Sequence, residues 1–293
     1  MARLCPGAPE PSKPSFEMPR GACDTHLHVM GPYRTFPLAK DRLYTSPEAP
    51  LQNMVAMLDT MGLDRVVVAH PSAFGSDLRV TLDAVQRLPE RARATITLDP
   101  NATRDQVRSF DRMGVRGVRL AKALGWEANG DTLKSIADRI VEFDWHIAIW
   151  PADVAELDRM RTLSETRGVR IVLDHLAGHC WDLDRGFEQE GYSLLLSMLK
   201  SGRVWLKLSG MYRVSQNRFP WPELVPFGRR LVVECSDRLL WASDWPHVGL
   251  FTDNMPESHQ LLDWLMEIGC DAATRQKILA DNPRQVYGFP EIF

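Results

Sequence analysis

Residues 21–28 read GACDTHLH, a short run that ends in two histidines one position apart. Side chains two residues apart on a strand leave by the same face, so His26 and His28 share a destination. The cadence returns along the chain. RVVVAH at 65–70, RIVLDH at 170–175 and RLLWASD at 238–244 are apolar runs that close on a histidine or an aspartate. Counting every such segment, predicted strands fall at 21–28, 65–70, 92–99, 115–122, 146–151, 170–177, 204–210 and 239–247. RVVVAH and RIVLDH are apolar almost throughout, which suits a parallel sheet covered on both faces. Between the runs, 51–61, 104–113, 132–143 and 154–167 carry apolar residues three and four apart, the period of a helix. Met54, Met57 and Met61 follow that spacing and read as core.

Eight strand–helix units predict an α/β fold, a (β/α)₈ TIM barrel. An open doubly wound sheet is the rival, but no GxGxxG or GxxxxGK supports a nucleotide fold. The 293 residues divide into an extended arm over the Pro- and Ser-rich residues 1–20 and one barrel domain over 21–293. Two connections, 29–50 and 211–226, are long and follow strand carboxyl ends, so both are expected to overhang the catalytic rim.

Bulk chemistry narrows the partners. A formal net charge of −3 without a dense Lys/Arg block gives no support for nucleic-acid binding. No apolar run approaches the ~18 residues that span a bilayer, and none in residues 1–20 makes a secretory signal. Cys5, Cys23, Cys180, Cys235 and Cys270 are odd in number and lack a CxxC pair, so neither a disulfide framework nor a zinc ribbon is expected. A cytoplasmic enzyme acting on a small molecule is the natural reading.

In a parallel barrel the strand carboxyl ends converge on one rim, where active sites are built. His26, His28, His175 and Asp244 all stand at such ends. Three imidazoles and a carboxylate meeting there form either a metal site or a metal-free acid/base site. Arg119 and Arg213 fall at the same rim, and guanidinium groups bind carboxylates bidentately, so a small dicarboxylate fits between them. Arg116, earlier on the strand of Arg119, is expected to share its face at greater depth, bracing the site or pairing with a buried carboxylate. Tyr44 in the first long loop, Ser72 beyond the second strand and His247 three residues after Asp244 complete the candidate substrate contacts. Lys122 reads as a surface or substrate-contacting lysine. His70, His179 and His259 read as structural or exposed, and the nine tryptophans as core and pocket wall.

These residues carry a resemblance. HxH on the first strand, His on the sixth and Asp on the eighth resemble the amidohydrolase superfamily, and DNPRQVYG at 281–288 is similar to the tail of its amidohydrolase-2 branch. Within that branch, GACDTHLHVMGP (21–32), GVRGVRL (114–120), VWLKLSG (204–210) followed by Tyr212 and Arg213, and WASDWPH (241–247) resemble the 2-pyrone-4,6-dicarboxylate lactonases over roughly residues 20–290. The resemblance implies hydrolysis of a small carboxylated lactone, pyrone-dicarboxylate-like or muconolactone-like, of the kind met in aromatic breakdown. In it Asp244 is the general base on water, His26, His28 and His175 polarise the carbonyl, and Arg119 and Arg213 match the carboxylate clamps.

One departure from the family pattern bears on the cofactor. Metal-dependent amidohydrolases usually place a histidine on the fifth strand, which here reads HIAIWP and ends at Trp150, with His146 at its start on the far side of the barrel. The lactonase resemblance therefore implies no cofactor. The standing alternative is one Zn²⁺ held by His26, His28, His175 and Asp244 with an open position for water. Other activities in the branch, zinc-dependent decarboxylation of an aromatic or muconate-type acid and sugar-acid lactone isomerisation, remain the alternatives to hydrolysis. A barrel that only binds ligand would bury these polar groups together to no chemical end, at a cost.

Overall fold

β-branched and apolar residues in RVVVA, RIVL and VWLKL favour extended backbone, and each run becomes one stave of a parallel sheet. A computed structural model of the protein describes residues 2–120, 130–252 and 255–291; Lys122 lies outside them. Its strands are β1 (Arg3–Leu4), β2 (Cys23–Leu27), β3 (Tyr44–Thr45), β4 (Arg65–Ala69), β5 (Ala92–Ile96), β6 (Val115–Leu120), β7 (His146–Ile149), β8 (Arg170–Leu173), β9 (Val204–Leu208) and β10 (Leu239–Trp241). Eight of them form one sheet in the order β10-β9-β8-β7-β6-β5-β4-β2, every adjacent pair parallel. The ring closes beyond the strand ends, where Asp244 N donates to His26 O (2.9 Å) and His28 N to Trp245 O (2.8 Å). The (β/α)₈ barrel predicted from the cadence is the observed fold.

The staves are shorter than the sequence runs. β8 stops at Leu173 and β10 at Trp241, so His175 and Asp244 stand past the ends of their strands. The reason is backbone conformation. His175, Leu176 and Ala177 have φ of 51, 59 and 51°, and Asp244 and His247 have φ of 60°, which no strand accommodates.

Helices cover the outside where the three-and-four spacing predicts them, at Leu51–Met61, Arg104–Arg112, Gly130–Ile140 and Val154–Arg167. Local signals set their starts: Thr103 and Gln106 form a capping box, and the Asp153 side chain accepts from Glu156 N. Met54, Met57 and Met61 are fully buried, as their spacing requires.

Inside, Cys23, Val67, Val172, Trp205 and Leu240 fill the lower barrel, and Val286, Tyr287 and Phe289 from the C-terminal segment plug it. His146 stands there, edge-on to Tyr287 (5.2 Å), far from the rim. Gly117 beside it has no alternative, since a Cβ would sit 2.5 Å from the imidazole. Arg116 is a correction to the sequence reading. It lies three positions before Arg119, an odd offset that turns it to the other face, and its guanidinium pairs with half-exposed Asp111 (3.1 Å). All five cysteines are free and buried.

Both long loops bear structure. Residues 29–50 contain β3, and β1 of the N-terminal segment pairs with it in parallel. Residues 211–226 open with the short helix Met211–Val214, which carries Tyr212 and Arg213. No helix among the described residues is long and apolar enough to cross a membrane.

Candidate active site

β2 delivers His26 and His28 to the barrel mouth with ring centroids 5.0 Å apart, and His175 approaches His26 to 5.3 Å. Gly210 at the end of β9 makes room for His175: its φ is 65°, and a Cβ there would lie 2.9 Å from the imidazole. Asp244 faces all three rings. Its Oδ1 lies 3.9 Å from His26 Nε2 and 3.6 Å from His28 Nε2, and its Oδ2 lies 4.0 Å from His175 Nε2. The structure thus brings together the four residues singled out from sequence, and all four are buried.

Hydrogen bonds behind the rings fix what each can do. His28 Nδ1 is 2.7 Å from Ala69 O, and a carbonyl only accepts, so the proton is on Nδ1. Neutral His28 therefore presents a bare Nε2 to Asp244 and cannot donate from it. His175 Nδ1 meets Ser209 Oγ at 3.1 Å. His26 Nδ1 meets two partners, Lys207 Nζ at 3.2 Å and Asp174 Oδ1 at 3.3 Å, while its Nε2 has no hydrogen-bond partner. Burial pushes the pKa of all three imidazoles down, His175 to about 4, so they are neutral at pH 7.

Asp244 carries its own counter-ion. Oδ2 accepts from Tyr212 Oη (2.7 Å) and from Arg213 Nε (2.8 Å) and lies 2.7 Å from Arg213 Nη2, which leaves Oδ1 to face the His26 and His28 Nε2 atoms. Burial alone pushes this carboxyl up, but Arg213 and the imidazoles outweigh it and hold it well below the usual carboxylate range. Arg213 also donates to Val248 O (2.9 Å). His247 touches Tyr212 Oη through Nδ1 (3.0 Å) and has an unpartnered Nε2, with a pKa lowered by burial to about 4.

The remaining candidates gather around Arg119. Arg119 donates to His70 O (2.9 Å). Tyr44 is buried and hydrogen-bonds the side chain of Ser72. Arg119, Tyr44 and Ser72 thus lie near one another, and the charge of Arg119 reaches His28 and His175 as well. His70 is structural, bonded to Thr81 Oγ1 and Gly75 O, and His259 pairs with Glu257 at 3.4 Å. Trp150 sets its edge against His175 (4.9 Å) and stacks on His179 (4.1 Å), and its indole Nε1 is buried without a partner.

Sequence reading missed Lys207 and Asp174. Lys207 Nζ and Asp174 Oδ1 pair at 2.9 Å beneath His26, both buried; burial pushes the Asp174 carboxyl up, but Lys207 together with His26 and His175 outweighs it and holds the group well below the usual range. The signal was present: in VWLKLSG, Lys207 alternates with Trp205 and Ser209 and so faces the barrel interior.

A cation would find ligands here. One atom each from His26, His28 and Asp244 lie within 4.8 Å of one another. The separations of 3.6 and 3.9 Å are slightly wider than the about 3.4 Å between ligands of tetrahedral zinc. The bare His28 Nε2 facing a carboxylate oxygen is itself a pair of acceptors that needs a proton donor or a cation between them. The donor set fits a single divalent ion, with His175 directed to the other carboxylate oxygen.

Residues 23–289 match the amidohydrolase family. The chain is 36% identical over 290 residues to a 4-sulfomuconolactone hydrolase of Rhizobium radiobacter, covering 97% of this chain and 96% of that protein. It is likewise 36% identical over 296 residues to a 2-pyrone-4,6-dicarboxylate hydrolase of Comamonas testosteroni, covering 96% and 94%. A crystal structure from Pseudomonas putida described as a 2-pyrone-4,6-dicarboxylic acid hydrolase superimposes with a TM-score of 0.80 at 30% identity, covering 94% of this chain and 100% of that one.

Proposed function

This chain belongs to the amidohydrolase family, and we propose on that premise that it is a hydrolase opening a small carboxylated lactone. The observation that carries the proposal is the Oδ1 of Asp244, which faces His28 Nε2 at 3.6 Å. Two acceptors so placed share one water, each taking one of its protons in a hydrogen bond. Water oxygen then attacks the lactone carbonyl while its proton passes to Asp244 Oδ1. The tetrahedral oxyanion needs donors, and His26 and His175 supply them when Lys207 and the Ser209 hydroxyl donate to their Nδ1 atoms and leave the protons on Nε2. The ring C–O bond breaks, and the alkoxide leaving group takes the proton held by Asp244. His28 thus orients water, a role different from that of the other two imidazoles.

The wall residues supply substrate selection. Arg119 and Arg213 flank the imidazoles, and each keeps N–H groups for a carboxylate or sulfonate. Tyr44 and Ser72 offer hydroxyls beside Arg119. The two relatives at 36% identity are named for lactones that carry such acid groups. Five buried thiols without a disulfide suit a reducing cytoplasm.

A second reading rests on the donor set. A zinc ion, when bound, would be held by His26 Nε2, His28 Nε2 and Asp244 Oδ1 and would polarise the lactone carbonyl as a Lewis acid. That reading needs the other His26 tautomer, with Nδ1–H donated to Asp174. Elemental analysis of protein purified without added metal, with kinetics before and after chelation, decides between the two. A panel of 2-pyrone-4,6-dicarboxylate, 4-sulfomuconolactone, muconolactone and an uncharged lactone tests the function. We expect turnover of acidic lactones and its loss in Asp244→Asn; near-native turnover by that variant would overturn the general-base role.

A further inference from the structure

We propose that residues 3–5 of the N-terminal arm are a strap that positions the substrate-binding side of the active site, by tying the loop after β2 to the loop after β10.

Three sets of contacts carry it. On one side, Arg3–Leu4 pairs in parallel with Tyr44–Thr45, with Arg3 N donating to Leu43 O (3.4 Å) and Cys5 N to Thr45 O (2.8 Å). On the other, Gly249 N donates to Cys5 Sγ (3.3 Å), and Arg3 lies over the Phe251 ring (4.2 Å) while its Nη2 reaches Phe251 O (3.5 Å). The third set links each loop to the site. Tyr44, itself in the strap's partner strand, hydrogen-bonds the side chain of Ser72. Val248, the neighbour of Gly249, gives its carbonyl to Arg213 (2.9 Å), the guanidinium that also holds Asp244.

A residue pair as short as Arg3–Leu4 gains little from its own ladder, and Leu4 is 75% exposed, so it adds almost nothing to the core. What the arm does contribute is geometry. Loops open locally at low free energy unless something crosses them, and the strap crosses both. Tyr44 sits in the loop after β2, and Arg213, on the helix Met211–Val214, is held by the Val248 carbonyl of the loop after β10, so a tie between the two loops bears on the separation of these two groups. Cys5 is the buried link between them, touching Thr45 through its amide and Gly249 through its sulfur. The inference rests on the site reading above for its kinetic consequence but not for its structural one.

The test uses two forms of the full enzyme, one lacking residues 2–8 and one carrying Cys5→Pro, which removes the amide donor and the sulfur acceptor together. Hydrogen–deuterium exchange over residues 31–50 and 246–252 is compared with the unaltered chain, alongside thermal unfolding. We expect faster exchange in both segments with the barrel strands unchanged. For 2-pyrone-4,6-dicarboxylate we expect KM to rise about ten-fold, the effect of loosening roughly one substrate hydrogen bond, while kcat stays within about two-fold. Unaltered exchange overturns the strap. Faster exchange with an unaltered KM overturns its positioning role, as does a fall in kcat alone that tracks lost folded protein. Should the truncated form fail to fold, Cys5→Pro decides. Should the unaltered chain turn over none of the lactones, the lactone reading fails while the exchange comparison still decides the strap.

Discussion

Lys207 Nζ lies 2.9 Å from Asp174 Oδ1 and 3.2 Å from His26 Nδ1, so one buried ammonium joins a carboxylate to a rim imidazole. A buried ion pair contributes little net stability while whole but is costly to break, because the survivor is left charged and desolvated. Lys207→Met is expected to destabilise the protein by about 3–5 kcal/mol, and Lys207→Met with Asp174→Leu to recover most of that loss. Turnover stays low in both forms, since nothing then fixes the proton on His26 Nε2. Urea unfolding and kcat on one set of preparations check this.

With Asp244 as the proposed general base, its pairing with Arg213 is expected to set the acid limb of activity. A general base works only when deprotonated, so turnover falls as pH drops through its pKa. With Arg213 present that pKa is held well below the carboxylate range. Arg213→Gln removes the main opposition to burial, so the acid limb of kcat/KM is expected to move to higher pH. An unmoved limb in the pH–rate profile would show that Asp244 is not the base.

Gly210 carries a backbone demand and a steric one. At φ 65° a Cβ costs about 1–2 kcal/mol of conformational energy, and here it would also push on the His175 ring. Gly210→Ala is expected to lower both the unfolding midpoint and kcat, with kcat falling by about 100-fold if His175 donates to the oxyanion. Circular dichroism and steady-state kinetics separate the two effects.

Trp150 offers a buried indole N–H with no partner next to His175. Trp150→Phe keeps the packing and removes the donor. A KM raised about five-fold with kcat little changed is the expected outcome, the loss of one neutral hydrogen bond to substrate.

Stability should decline in mild acid. Burial lowers the pKa of His70, His175 and His247 to about 4 and of His146 to about 3. Their unfolded values are about 6.5. Between those limits the unfolded chain binds more protons than the native one, so the contribution is complete above about pH 6.5 and is lost as pH falls toward 4. Asp24 acts the other way: burial raises it to about 7, and its contribution is lost as pH rises. Four imidazoles outweigh one carboxyl. Urea midpoints at pH 7, 5.5 and 4.5 are expected to fall in that order, and more shallowly in His146→Leu, whose two ring nitrogens have no partner to lose.

Much of the barrel was legible in the chain. Strand runs and helix spacing are local properties, and the eight runs map onto the eight staves because periodicity alone says which residues can be buried together. Strand ends were less legible. His175 and Asp244 read as the last residues of strands, but each has a left-handed backbone that only the closed rim sustains. Arg116 was misplaced although the signal was present: it stands three positions before Arg119, an odd offset that strand alternation sends to the other face, where it pairs with Asp111.

By itself the sequence determined the fold and the gathering of His26, His28, His175 and Asp244 at one rim, since a parallel barrel sends all strand ends the same way. Tertiary structure alone decided what each group does there. His28 is an acceptor because Ala69 O lies behind it, Asp244 is weakly basic because Arg213 covers one oxygen, and His26 answers to a lysine 181 positions away. A side chain's chemistry depends on its neighbours in space, and barrel closure chooses those neighbours.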